Sequence, residues 1–203
     1  MKIHQIFPEP IYISKLERTL TKDELKIINK YKKKKTYKNA GNSQTSDSYV
    51  LEHKTLKNLK KDLNKRVIEY FNEVVCTNNS IIPYITQSWI NYTEPNQFHH
   101  PHSHYNSYVS GVFYIDAKKE ADQIRFYKAD HQEIKLDIAR FNIFNSMSWC
   151  FSIQTGDVVL FPSTLEHEVP LKKGTDTRIS LSFNVFFKGK IGNSRELTEL
   201  VIK

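Results

Sequence analysis

The chain has 203 residues, two cysteines, and 30 Lys and Arg against 22 Asp and Glu, for a formal net charge of +8. This length suits one compact domain with its own core, and two cysteines exclude a disulfide framework. No stretch approaches the roughly 18 consecutive apolar residues of a membrane span, and the N-terminus lacks a signal peptide's apolar region, so we expect a cytoplasmic protein.

The positive charge raises nucleic acid as a partner, because basic residues cluster from Lys32 to Lys35 and from Lys57 to Arg66. Only six of the basic residues are arginines, however. Arginine is the residue that binds phosphates and guanines through paired hydrogen bonds. Nucleic-acid binding is therefore possible but not favoured.

The N-terminal part of the chain predicts an edge strand followed by a helix. Residues 3–16 form an apolar run with two prolines, which sheets tolerate at an edge. Thr21 and Glu24 fit a capping box, which predicts a helix over residues 22–34.

A polar loop and a second helix follow. Residues 36–48 are mostly polar, and apolar residues from Leu56 to Val74 then recur at the three-and-four spacing of one helix face. We expect residues 1–79 to be the scaffold part of a single domain.

From about residue 80 the sequence is typical of an all-β module, with short β-branched and aromatic runs separated by turn residues. We predict two N-terminal helices packed on a sandwich or barrel over residues 80–190, with a C-terminal tail over 191–203. The predicted strands are Ile85–Tyr92, Tyr108–Ile115, Ile124–Tyr127, Phe141–Phe144, Val158–Phe161 and Arg178–Phe187.

Four of the eight histidines lie within six positions, from His99 to His104. In an extended segment, side chains two positions apart share a face and lie roughly 7 Å apart at Cα. His102 and His104 can therefore bind one metal ion, which needs a third ligand from elsewhere. His167 is the natural candidate, because it follows an apolar strand and a proline turn.

The predicted last strand alternates in polarity. Its apolar face carries Ile179, Leu181, Phe183 and Val185, and its polar face carries Arg178, Ser180, Ser182 and Asn184. From this strand alone, a polar cavity and a water-facing sheet surface explain the polar face equally well.

Three motifs in order resemble the Fe(II)/2-oxoglutarate-dependent oxygenase superfamily, and more closely a branch of 2OG-Fe(II) oxygenases found in phages and marine bacteria. They are HSHYNSYVSGVFY at 102–114, GDVVLFPSTLEHEV at 156–169 and RISLSFN at 178–184. The resemblance covers roughly residues 80–187 and implies a double-stranded β-helix, or jelly roll, with iron at its open end.

The resemblance also implies the site residues. His102 and His167 match metal ligands, and His104 stands where the superfamily has Asp or Glu. Two alternatives remain for His104: a third neutral ligand, which we favour, or a contact to substrate or cosubstrate while water takes the third position. Arg178 matches the arginine that pairs with the distal carboxylate of 2-oxoglutarate, and Ser180 shares its face.

Further side chains are candidates for the cavity lining, namely His100, Asn91, Ser107 and Tyr114. For His99 and His100 a solvated loop position is the default. For the aromatic residues Trp89 and Tyr114 core packing is the better expectation.

The implied activity is that of a dioxygenase using Fe(II) and O2, with 2-oxoglutarate as cosubstrate, that hydroxylates an unidentified substrate and releases succinate and CO2. The location would be the host cytoplasm if the gene is carried by a phage. Specificity is expected from loops such as 116–140, which carry no recognisable motif, and the oligomeric state is open.

Two rival interpretations come from other classes. A metal-binding cupin that does not use 2-oxoglutarate has the same fold, but its first motif needs a glutamate that the segment from Tyr105 to Gly111 lacks. It also leaves Arg178 and Ser180 without a role. The second rival is a nonenzymatic, DNA-associated protein whose histidines bind metal adventitiously.

Overall fold

The computed structural model of the protein describes residues 2–129, 134 and 136–203. The loop over 116–140, where we expect specificity, therefore lies partly outside the described residues. In the described part, no helix is both long and apolar enough to cross a membrane.

The described residues form two α-helices and twelve strands. In chain order these are β1 (Tyr12–Lys15), α1 (Lys22–Lys32), β2 (Thr36–Lys38), β3 (Ser43–Thr45), α2 (Lys57–Tyr70), β4 (Ile81–Thr93), β5 (His99–His102), β6 (Val109–Asp116), β7 (Gln123–Tyr127), β8 (Ser148–Ser152), β9 (Asp157–Pro162), β10 (His167–Val169), β11 (Arg178–Ile191) and β12 (Leu200–Ile202).

The strands form the two antiparallel sheets of a jelly roll. The larger sheet has the order β1-β9-β6-β11-β4-β3-β2, with β12 also paired to β11, and the smaller has the order β5-β10-β7-β8. Between them, side chains of β6 and β9 pack against side chains of β7 in one apolar cluster, which includes Tyr114, Ile124, Phe126 and Phe161. The predicted fold class, a double-stranded β-helix carrying N-terminal helices, is confirmed.

The alternation along the central strands separates a helix-facing side from a side that faces the smaller sheet. On β11, Leu181, Phe183 and Val185 are fully buried in the cluster that also contains the inner faces of both helices. The polar side chains between them face the other sheet. On β6, Gly111 lies opposite Phe183, and a Cβ atom there would overlap the Phe183 ring.

The helices form where the sequence predicts them. Thr21 caps α1 through the Glu24 N–H, and the Glu24 carboxylate accepts the Thr21 N–H, which is the expected capping box. The apolar face of α2 is buried, and it includes Leu59, Leu63 and Val67. The helix continues as a wider turn over Phe71–Val75.

Some sequence predictions are wrong. The predicted strand Phe141–Phe144 is a turn with Phe141 exposed, because the Asn142 and Asn145 side chains accept backbone N–H groups in place of a neighbouring strand. The polar loop 36–48 contains the hairpin of β2 and β3. Within the predicted tail 191–203, which this finding does not contradict, residues 200–202 pair with β11 as β12. β1 occupies a sheet edge, although it is shorter than residues 3–16.

Candidate functional site

Three histidines from two paired strands meet at one end of the smaller sheet. β5 and β10 pair so that His102 lies opposite His167, and His104 follows β5 with its backbone N–H bonded to the Ser163 carbonyl at 2.9 Å. One ring nitrogen from each of His102, His104 and His167 lies within 4.8 Å of the others. The histidines that the sequence predicts as ligands are thus adjacent in space.

The spacing of these rings fits a shared metal ion. A metal–nitrogen bond of about 2.1 Å puts an ion roughly 3.3 Å from an imidazole centre. Two ring centres then lie roughly 4.7 Å apart if the bonds meet at right angles, and roughly 5.4 Å apart if they meet at the tetrahedral angle. The ring centres of the three pairs are 4.3, 5.1 and 5.2 Å apart. This donor set suits a divalent transition metal.

Backbone carbonyls orient two of the rings. Nδ1 of His102 lies 2.7 Å from the His100 carbonyl oxygen, and Nδ1 of His167 lies 3.0 Å from that of Leu165. If each Nδ1 donates its proton there, Nε2 is left as the free ligand atom, an arrangement common around protein-bound metals. His104 is instead stacked on Trp89, with ring centres 5.8 Å apart.

Burial keeps the three imidazoles neutral in the metal-free protein. Loss of water contact, followed by the neighbouring His102, lowers the pKa of His104 to about 4 and that of His167 to about 3. Burial also lowers the pKa of His102. The Asn184 side chain opposes part of the shift at His104. Neutral imidazoles are the form that binds metal.

Arg178 lies in the same cavity and is 2% exposed. Its guanidinium donates to the Thr93 hydroxyl at 2.8 Å, and its Nε is buried without a hydrogen-bond partner. Among the described residues Arg178 forms no salt bridge within 4 Å. Asp122 acts on it only from farther away and is itself paired with Lys172 at 3.2 Å, so burial outweighs this attraction and lowers the pKa of Arg178. Because buried charges are usually paired, this arrangement calls for an anionic ligand.

The cavity measures about 480 Å³, including its opening to solvent. Two of the predicted lining residues, Asn91 and Tyr114, line this cavity, and so does Ser180. The Asn91 amide also donates a hydrogen bond to the Ser182 hydroxyl at 2.9 Å. Trp89 also lines it, so the expectation of core packing was wrong there. Tyr114 combines both positions, because it belongs to the apolar cluster and faces the cavity.

Two predicted lining residues lie elsewhere. Ser107 bonds the carbonyls of Val109 and Val185 and is not part of the lining, and neither is His100. His99, for which a solvated position was the default, lines the cavity instead. Sequence reasoning also missed Ser110, which lines the cavity. Ser110, Val112 and Tyr114 are two residues apart on β6 and therefore share one strand face, so the prediction for Tyr114 could have been extended to Ser110.

Comparison with protein families gives one match over the second half of the chain. Residues 87–184 match a family described as "Putative 2OG-Fe(II) oxygenase". These residues include the histidine triad, Arg178 and Ser180. No curated protein matches the chain at a significant level.

Solved structures share the fold at low identity. An oxidoreductase of the 2OG-Fe(II) oxygenase family from Burkholderia pseudomallei is 16% identical, with a TM-score of 0.57 over 86% of this chain and 83% of that one. A prolyl-4-hydroxylase from Pseudomonas putida is 12% identical, with a TM-score of 0.57 over 87% and 92%. HygX from Streptomyces hygroscopicus, solved with nickel, 2-oxoglutarate and hygromycin B, is 12% identical, with a TM-score of 0.56 over 87% and 82%. These structures share the fold, and the family match confirms the resemblance of residues 87–184 to 2OG-Fe(II) oxygenases.

Proposed function

We propose, from the match of residues 87–184 to the 2OG-Fe(II) oxygenase family, that this chain is a non-haem Fe(II)- and 2-oxoglutarate-dependent dioxygenase that hydroxylates an unidentified substrate. His102, His104 and His167 hold the iron in this proposal. Arg178 and Ser180 bind the distal carboxylate of 2-oxoglutarate. Residues 1–79 act as scaffold of the same domain, which the pairing of β1 with β9 and the packing of α2 on the larger sheet support.

The observation that carries the proposal is one cavity lined by three adjacent histidines, which could hold a metal ion, and by a buried guanidinium with no carboxylate partner among the described residues. A ligand that chelates metal at one end and carries a carboxylate at the other satisfies both features, and 2-oxoglutarate is such a ligand. The planar guanidinium offers the carboxylate two parallel charge-assisted hydrogen bonds. The cupin alternative, in which metal binds without 2-oxoglutarate, leaves the charge of Arg178 uncompensated.

His104 in place of a carboxylate changes the charge of the site. Three neutral imidazoles contribute no negative charge. In this proposal one carboxylate of 2-oxoglutarate balances the divalent ion and the other balances Arg178. The protein should therefore hold metal alone more weakly than a two-histidine, one-carboxylate site, and 2-oxoglutarate should strengthen metal binding by reciprocal coupling.

Bound iron supplies the activation of O2. In the overall reaction one oxygen atom enters a C–H bond of the substrate as hydroxyl, and the other enters the succinate that forms as 2-oxoglutarate loses CO2. The protein's part is to orient the reactants and to keep water away. Apolar cavity residues on both sheets, among them Val112, Ile124, Phe161 and Val169, suit this second task.

The test is an anaerobic titration of the metal-free protein with Fe(II) and then 2-oxoglutarate, followed through the weak visible metal-to-ligand charge-transfer band. We expect the band in the unmodified protein and in Arg125→Ala, whose guanidinium is paired with Glu168 at 2.7 Å. His167→Ala and Arg178→Ala should lose it at the same concentrations. Iron binding without the band in the unmodified protein would reject the proposal in favour of the cupin alternative.

A further inference from the structure

An irregularity in β5 turns His99 into the cavity. His102 pairs with His167 and His99 pairs with Val169, so three steps along β5 correspond to two steps along β10. Such a bulge places an extra residue in one strand and re-aims the side chains on either side of it. As a result His99 lines the cavity together with His102, whereas His100 does not.

The His99 ring lies beside the metal-binding triad, on one side of it. Its centre is 4.3 Å from that of His102, and Arg178 is close enough to act on it electrostatically. Unlike His102 and His167, whose rings meet backbone carbonyls, the His99 ring makes no hydrogen bond to a described residue. An imidazole nitrogen is thus available to a ligand that spans the triad and Arg178.

His99 is poorly placed to be a ligand of the same ion. The described histidines form two possible metal-binding groups, His102 with His104 and His167, and His99 with His100 and His102. His102 is common to both, and its Nδ1 is already engaged by the His100 carbonyl. His102 has one free ring nitrogen, so it can bind a metal ion in only one of the two groups at a time. We favour the group with His104 and His167, because backbone carbonyls orient the rings of both His102 and His167.

We propose that His99 donates a hydrogen bond to the 2-oxo acid end of the cosubstrate, at the carboxylate beside the metal. This inference rests on the proposed function and divides the ligand between two groups: His99 at the metal end and Arg178 at the distal end. A neutral imidazole supplies one N–H, and a carboxylate in a water-poor cavity accepts it as a charge-assisted hydrogen bond.

The experiment uses three probes on the Fe(II)-loaded protein under anaerobic conditions, with affinities measured by calorimetry. 2-Oxoglutarate has both ends, pyruvate has only the 2-oxo acid end, and butyrate has only the distal carboxylate. His99→Ala should weaken 2-oxoglutarate and pyruvate by roughly tenfold to a hundredfold, the effect of one hydrogen bond to a charged group. Butyrate and Fe(II) should bind as before.

Two further variants separate this role from a structural one. His99→Gln offers an amide N–H and should recover most of the lost affinity. His100→Ala changes the neighbouring histidine outside the cavity and should bind all three probes as the unmodified protein does. A loss confined to the probes that carry the 2-oxo acid end is a result that a simple packing role would not give.

Each contrary result rejects one stated part of the inference. If 2-oxoglutarate binds His99→Ala with unchanged affinity, His99 does not contact the cosubstrate. If butyrate loses as much affinity as 2-oxoglutarate, His99 contacts the distal end and the inference is wrong. Loss of Fe(II) in that variant makes His99 a metal ligand, contrary to the inference. If the unmodified Fe(II)-loaded protein binds none of the three probes, the proposed function fails together with the inference.

Discussion

Replacing Arg178 by methionine should separate ligand binding from stability. The guanidinium is 2% exposed and has no carboxylate partner among the described residues, so its burial costs free energy in the ligand-free protein. Methionine keeps the apolar stem and loses one hydrogen bond to Thr93, worth about 1 kcal/mol. We expect the free energy of unfolding of the ligand-free variant to be unchanged or higher.

With 2-oxoglutarate bound, the variant should be less stable than the unmodified protein. Loss of the paired hydrogen bonds to the distal carboxylate should cost about 3 kcal/mol, or roughly a 150-fold increase in Kd. At a 2-oxoglutarate concentration 100 times the original Kd, the ligand stabilises the unmodified protein by about 2.7 kcal/mol and the variant by about 0.3 kcal/mol. For a chain of this size that corresponds to a rise in Tm of roughly 5–11 °C against about 1 °C or less.

The assay is thermal unfolding of the metal-loaded, anaerobic protein with and without 2-oxoglutarate. Arg125→Met is the matched control, because Arg125 is paired with Glu168 and its side chain is 35% exposed. It should lose at most about 1 kcal/mol of stability and keep the full ligand-induced shift. A full shift in Arg178→Met would refute the binding role, and a loss of several kcal/mol without ligand would show that the guanidinium is structural.

Three other changes test the site and the fold. His104→Asp should bind Fe(II) at least as tightly as the unmodified protein in calorimetry, since it adds a negative ligand, whereas His104→Ala should lose it; equal losses would contradict the ligand role. Gly111→Ala should lower the free energy of unfolding in urea by about 1–3 kcal/mol, because its methyl group overlaps the Phe183 ring, and an unchanged midpoint would mean that the ring moves freely. The pKa of His167 is about 3 in the folded protein and near 6.5 in the unfolded chain, so below pH 6.5 the unfolded chain binds an extra proton at this residue. This residue alone costs the metal-free protein up to about 1.4 kcal/mol per pH unit, in addition to the losses from the other buried histidines. His167→Asn should show a weaker dependence between pH 7 and 5, and identical slopes would reject this explanation.

Features that depend on neighbours along the chain were predictable. The capping box at Thr21 and Glu24 is complete within four residues, and the alternation of β11 follows from the two-residue period of any strand. The spacing of His102 and His104 likewise predicts side chains that can meet. The segment Phe141–Phe144 was misassigned because it pairs with no strand among the described residues, a property that no local pattern contains.

The sequence by itself determined which side chains are available: two histidines at the spacing of one strand face, a third after a proline turn, and an arginine on a polar face. Only the tertiary structure decided how they are used. The pairing of β5 with β10 brings His167 opposite His102, and the bulge in that pairing turns His99 inward and leaves His100 outside. The closure of two sheets over the polar face of β11 removes water from Arg178 and leaves it without a salt bridge among the described residues. These outcomes depend on register and closure between segments distant in sequence, which the period of a single strand does not specify.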